Sequence, residues 1–364
     1  MLKSRKTLRV AIPCLVLVGL ALALSVQRWS AHAQSEQDPP ARRAISVPIE
    51  SFITQTAEPN GPAATITVNS LADVQANNGQ CTLREALINA NNDNQSGSTD
   101  CASGSGTDTI TFSVNGTINL TGVLPDISSN LTITGPGANL LTVRRNTGGD
   151  YRIFQINGGV SVDLTGLTIS NGSVPASEGG GIHNSGVLII TNCAITGNLA
   201  NGGGGIRNVG TLTILSSTIS GNLANFDGAG LHNEGYAELF NSTISGNTAN
   251  GSVAGIINLS AGATTKTLVV VNCTVTGNNG VAVGGIGTFS LAGGTAETYL
   301  RNTIVANNSA PNLLKSGTNA SVISQGNNLA SDDGSGLLTQ SSDKLNTDPQ
   351  LLPLGNYGGA TQTH

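Results

Sequence analysis

Between Gly179 and Asn308 one short phrase recurs: Gly181-Ile182-His183-Asn184, Gly205-Ile206-Arg207-Asn208, Gly230-Leu231-His232-Asn233, Gly255-Ile256-Ile257-Asn258 and, more loosely, Gly285-Ile286-Gly287. The starts lie 24, 25, 25 and 30 residues apart. A second phrase keeps step with it: Ile195-Thr196-Gly197-Asn198, Ile219-Ser220-Gly221-Asn222, Ile244-Ser245-Gly246-Asn247, Val275-Thr276-Gly277-Asn278 and a degenerate Ile304-Val305-Ala306-Asn307. A period of this length marks a solenoid, in which each unit buries its apolar face only by stacking on its neighbours.

Each unit holds short β-branched runs, such as Leu188-Ile189-Ile190-Thr191 and Leu268-Val269-Val270-Val271, cut by Gly and Asn clusters. These clusters supply positive-φ turn positions. Helical repeats would need longer runs with a 3.6-residue period. A leucine-rich frame is absent. The expectation is an all-β, right-handed parallel β-helix with about three strands per coil and a short N-terminal helical cap. The hand is taken from the crossover rule. At about 4.8 Å per rung, eight or so coils over 131–345 give a rod about 40 Å long.

The recurring asparagines read as structural. Asn184, Asn208, Asn233 and Asn258 should stack, as should Asn198, Asn222, Asn247, Asn278 and Asn307, each amide donating to the next and so satisfying buried polar corners.

Residues 1–33 have the form of a secretory signal: basic Lys3, Arg5, Lys6 and Arg9, an apolar stretch Val10–Val26, and Ala31-His32-Ala33 before Gln34. An uncleaved anchor is the alternative. Past it no run is long enough to span a bilayer, so the mature chain is expected to be exported, extracellular or at the cell surface, with no membrane span. Five of the sixteen Lys and Arg fall in this leader, which has no acid, leaving eleven against twenty-one acidic residues. A mature charge of −10 makes nucleic acid an improbable partner, since phosphate binding needs a basic stripe. Residues 34–63, with five prolines and no periodicity, read as a disordered tether.

In an exported chain disulfides are permitted. Cys81 and Cys101 share one short non-repetitive segment (64–130) and are the expected pair. Cys193 and Cys273 occupy one repeat position three rungs apart, about 14 Å, beyond the reach of a bridge. They read as small buried wall residues. The segment 64–130 also contains Thr82-Leu83-Arg84-Glu85, a capping box, followed by an apolar face at Leu83, Ala86, Leu87 and Ala90. That is a helix suited to covering the open end of a solenoid. Arg84 and Glu85 read as helix surface and cap.

Cys81-Thr82-Leu83-Arg84-Glu85-Ala86 resembles the motif that names the CSLREA domain. Thr67-Val68-Asn69-Ser70, Asp108-Thr109-Ile110-Thr111-Phe112 and Leu131-Thr132-Ile133-Thr134-Gly135 match its surroundings. The repeats are similar to those of polymorphic outer-membrane proteins. The closing 346–364, with Asp348-Pro349-Gln350-Leu351 and Asn356-Tyr357-Gly358-Gly359-Ala360-Thr361-Gln362-Thr363-His364, resembles the start of choice-of-anchor Q regions. The resemblance implies a right-handed, pectin-lyase-like β-helix at a bacterial surface, with no catalytic residues to carry over. It also implies a continuation past the Thr-Gln-Thr-His motif, so a truncated anchor region is expected at 346–364.

An enzyme on this fold would need clustered carboxylates. Asp332-Asp333 is the one adjacent pair, in a Ser/Gly-rich loop, and Asn346-Thr347-Asp348 lacks its partner motifs. The column His183, Arg207, His232, with Glu178, Asp227 and Glu234 nearby, is the remaining candidate; exposed corner polarity is the expectation for it. Aromatics are about 3% of the chain, and Tyr151, Phe154, Phe226, Tyr236 and Phe240 read as loop packing. The expectation is a non-catalytic display or adhesion protein with no metal or other cofactor, whose partner is an extracellular glycan or envelope component. A polysaccharide lyase or glycoside hydrolase is the alternative.

Overall fold

A computed structural model describes residues 63–309 and 311–364; the leader (1–33) and all of the tether (34–63) but Ala63 lie outside the described residues. The chain from Thr65 onward winds into a parallel β-solenoid. Each regular coil has four walls rather than three. One turn runs Val187–Thr191, Ala194–Thr196, Leu199–Gly202 and Ile206–Asn208, and Thr211–Leu215 then pairs in parallel with Val187–Thr191. In order of chain travel, the first to fourth sheets hold ten, nine, five and seven strands among the described residues. All of their pairings are parallel. The fourth wall is the Gly-x-x-Asn phrase itself, which the sequence reading took for a turn.

The core is the stack of inward side chains. Ile190, Ile214, Leu239, Val270 and Leu300 lie in register on successive rungs, as do Ile195, Ile219, Ile244, Val275 and Val305. All ten are fully buried. Each added coil thus covers the apolar face of the one before it, and removing such a side chain to Ala costs about 2–5 kcal/mol.

Two amide columns close the corners. Asn184 Nδ2 donates to Asn208 Oδ1 (2.8 Å), Asn208 to Asn233 (2.7 Å) and Asn233 to Asn258 (2.8 Å). Where the next rung carries Thr288, Asn258 turns to Glu297 O and Thr298 Oγ1. The second column runs Asn198, Asn222, Asn247, Asn278 at 2.8–3.0 Å and then reaches Asn308, not Asn307. The correction comes from register. Thr274 pairs with Ile304 and Val275 with Val305, so the degenerate phrase is shifted by one residue. Asn307 occupies the positive-φ place held elsewhere by Gly197, Gly221, Gly246 and Gly277, with φ of 55°, and is exposed. Asparagine is one of the few non-glycine residues that tolerates that conformation.

A third set of corners, between the first and second sheets, places Asn192, Ser216, Asn241, Asn272, Asn302 and Asn327 at φ between 47° and 59°. The residue after each is buried: Cys193, Ser217, Ser242, Cys273, Thr303 and Asn328. Backbone N–H groups in this column donate to the side chain of the next rung, as from Cys193 to Ser217 Oγ (3.1 Å) and from Thr303 to Asn328 Oδ1 (3.0 Å). Both cysteines are free. Burial pushes the Cys193 thiol up to about 11 and that of Cys273 to about 12, so neither is a ready nucleophile.

The N-terminal end is sealed by strand Thr65–Val68, paired with Asp108–Phe112, and by helix α1 (Leu83–Asn92). Thr82 and Glu85 form the reciprocal capping box, and a disulfide joins Cys81 to Cys101. Arg84 is not a surface residue of this helix. Its guanidinium donates to both oxygens of Asp73 (2.8 and 2.9 Å) and to the carbonyls of Gly122 and Val123. The Asp73 side chain is 1% exposed and also accepts from Thr121 N and Oγ1. One ion pair therefore ties helix, N-terminal loop and first coil together.

At the other end the segment after Asn346 folds back along the second sheet. Thr361 Oγ1 donates to Ser216 O, Thr218 Oγ1 to Gln362 O, and Thr243 and Ser245 meet Thr363 and His364 at 3.1 and 2.7 Å.

Two outcomes check this architecture. Asn233→Ala should lower the unfolding free energy by about 1–3 kcal/mol, because it orphans buried amide groups, whereas Asn307→Gly should leave it within about 0.5 kcal/mol, as Gly suits positive φ. Urea titration of both variants distinguishes them. Asp73→Ala should cost about 3–5 kcal/mol, because Arg84 then loses its buried partner; equal melting of wild type and variant would refute the cap's dependence on this pair.

Candidate functional site

The fourth sheet presents one outward residue per rung near its middle. Register aligns Gln155, His183, Arg207 and His232, and then Ile257, Gly287 and Leu314. The third sheet, which precedes it in each regular coil, aligns Glu178, Gly202 and Asp227. The polar half of the first column and the acids of the second meet over three rungs.

The three column residues are together as the sequence suggests, but two of them are not exposed. Arg207 and His232 are each only 5% accessible; His183 is half-buried. The reason lies in the flanks. Glu178 reaches Arg207 Nε at 2.8 Å from one side and Glu234 reaches Nη2 at 2.8 Å from the other, so two carboxylates share one edge of the guanidinium. His232 Nε2 is 3.4 Å from Glu234, a long contact compared with the guanidinium's. A Cβ on Gly202 would lie 3.0 Å from His232 Nδ1 and 3.6 Å from Glu178 Oε1. Glycine at this rung lets the imidazole lie across the sheet junction.

Sequence reasoning missed Gln155, Arg152 and Gly202. Gln155 faces His183 Nδ1 at 3.2 Å; Arg152 contacts Gln155 and donates to Glu178 O at 3.1 Å and Ser177 Oγ at 3.3 Å. The rung carrying Phe154-Gln155-Ile156 lacks the Gly and Asn of the phrase, so its membership is visible only from hydrophobic register.

The electrostatics follow from this packing. His232 at 3.4 Å and the Arg207 guanidinium hold the Glu234 carboxyl down to about 2, against its burial. Burial, then the positive Arg152 and Arg207, push His183 down to about 4. Burial pushes Asp227 up, while the backbone N–H of Val253 draws it back. Neither Glu234 nor His183 titrates near neutrality, where a general acid–base pair would need to.

The other candidate acids hold turns. Asp332 accepts from Asn312 N (2.8 Å) and Gly334 N (2.9 Å), Asp333 from Ser335 N (2.8 Å), and Asp348 from Gln350 N (2.9 Å). Among the described residues no group of three or more His, Cys, Asp or Glu is placed to hold a metal ion, and no helix is long and apolar enough to cross a membrane.

The aromatics are also redistributed. Tyr151 is buried with its hydroxyl on Leu120 O and Thr147 O, and Phe154 belongs to the core. Phe226 is 55% exposed. Tyr236 and Phe240 lie on a strand of the first sheet rather than in loops.

No family model, curated protein or solved structure matches the chain.

The His183 environment gives a pH dependence. Its folded value, about 4, lies below the ordinary 6.5, so between these limits the unfolded chain binds more protons and stability falls as pH falls. Glu234, lowered from 4.5 to about 2, extends the loss toward stronger acid. Unfolding midpoints in urea measured from pH 8 to 3 should decline below about 6.5, and His183→Gln should flatten the limb between 6.5 and 4.

Proposed function

We propose that this is an exported, cell-surface β-solenoid that works by presenting binding surfaces and not by catalysis. The observation that carries this reading is the mutual pairing of the side chains in its best candidate site. Arg207 is locked between Glu178 and Glu234, Glu234 is held ionised and His183 neutral, so the side chains a hydrolase or lyase would use are committed to one another. The remaining acid motifs serve as turn caps. The leader-like 1–33 and the Cys81–Cys101 disulfide agree with export into an oxidising compartment. The resemblance of Cys81-Thr82-Leu83-Arg84-Glu85-Ala86 to the CSLREA motif, and of 346–364 to a choice-of-anchor region, supports a bacterial surface location and a display or adhesion role.

The test has two parts. Purified protein incubated with pectin, polygalacturonate or alginate, with and without Ca²⁺, should release neither unsaturated nor reducing sugars. On intact producing cells, an impermeant amine label should reach the protein. Sugar products that disappear in Glu178→Gln or Glu234→Gln would replace this reading with a carbohydrate-active enzyme, and labelling only after lysis would remove the surface location. Burial of Arg207 gives its removal a cost in stability. Arg207→Ala should cost about 1–3 kcal/mol, since it leaves Glu178 and Glu234 without their shared partner.

A further inference from the structure

The outer face of the first sheet carries an arrangement that the solenoid does not need for stacking. Tyr236 and Glu238 lie on one strand, Thr267 and Val269 on the next, and Glu297 and Tyr299 on the one after. Register sets Tyr236, Thr267 and Glu297 in one column and Glu238, Val269 and Tyr299 in its neighbour. The Tyr–Glu order is thus reversed between the outer two rungs, and the two rings lie on a diagonal, two rungs or about 10 Å apart along the rod.

Each tyrosine hydroxyl donates to the glutamate of its own strand: Tyr236 to Glu238 Oε1, and Tyr299 to Glu297 Oε2 at 3.0 Å. Burial and the adjacent carboxylate push the Tyr299 hydroxyl up to about 12, and act in the same direction on Tyr236, so both stay protonated donors. Glu238 is 5% accessible and serves to orient its tyrosine, whereas Glu297 is only half-buried. Half-buried Phe240, Val269 and Val271 surface the first two of these rungs.

The ligand follows from these groups. A tyrosine ring with its hydroxyl fixed offers an apolar face to the C–H side of a pyranose. A carboxylate with an oxygen to spare accepts from sugar hydroxyls. The two carboxylates outnumber the one exposed cation of this face, Arg301, and disfavour polyanions, and a purely apolar partner would have to desolvate Glu297. Two rungs also approximate the length of one disaccharide unit in an extended β-1,4-linked chain. We propose that this face binds a neutral β-linked polysaccharide lying along the rod axis, with one sugar on Tyr236 and another on Tyr299. This deepens the surface-binding reading and rests on it.

The experiment is depletion of the full chain from solution by washed microcrystalline cellulose and by chitin. The wild type should bind at least one of them. Tyr299→Ala and Glu297→Gln should each weaken binding about tenfold, while Tyr357→Ala, at an exposed tyrosine elsewhere, should bind as wild type. Glu297→Gln preserves size, so its melting temperature should match wild type and separate binding from folding. No binding of wild type to either polymer, or unchanged binding by both Tyr299→Ala and Glu297→Gln, would overturn the assignment. In the second case binding persists through another face and the display reading stands. Soluble sugar release during the same incubations would instead count against the display reading itself.

Discussion

Everything in this molecule depends on coil-to-coil hydrogen bonding in parallel register. A single coil of about 25 residues cannot bury its own apolar side chains, and its Gly-rich corners would strand polar backbone and amide groups away from water. Stacking resolves both. Ile190, Ile214 and Leu239 cover one another on one wall, while Asn184, Asn208 and Asn233 satisfy one another at a corner. The two requirements reinforce each other, because a one-residue slip would break the amide column and turn the apolar set outward together.

The same constraint explains what the sequence made legible. Repeat phrases reported rung identity well, since each Asn sits at a corner where its amide both accepts and donates hydrogen bonds between rungs. Asn307 was misassigned because the last phrase moves the β-branched positions by one residue relative to the corner. Only the pairing of Val275 with Val305 exposes that shift. Four walls were read as three because Ile206-Arg207-Asn208 is as short as a turn and lies between glycines and a second turn. The Cys81–Cys101 bond and the capping box were legible because both are local. The Asp73–Arg84 pair was not, as nothing in the spacing of 11 residues announces a salt bridge.

Burial of Arg207 was hidden for a related reason. An outward position on a solenoid wall is normally wet, and a sequence gives no sign that flanking chains will fold over it. Here Glu178 and Glu234 approach from different elements, and Gly202, which has no side chain, leaves room for His232. The result is a self-contained charge cluster in which a cation is held by two anions. On the first sheet the opposite holds: Glu297 and Tyr299 pair with each other and, both half-buried, retain surface for another molecule.

The amide columns have a direction. In both, each amide passes one Nδ2 hydrogen to the oxygen of the next Asn in the column, from Asn184 to Asn208 and from Asn198 to Asn222, while in the second column Nδ2 also donates back to a carbonyl of the preceding rung, as from Asn198 to Ile169 O. The first amide of a column offers its oxygen to backbone, as Asn198 does to Gly172 N and Asn184 to Gly186 N, and the last spends its hydrogens on terminal acceptors such as Asn312. An interior coil inserted before the rungs that the C-terminal segment contacts would receive from one side and give to the other without altering either end. Rod length is therefore a modular quantity in this design: gene duplication or loss of one repeat changes it in steps of about 4.8 Å, leaving the end structures intact and the spacing between surface-borne groups open to adjustment.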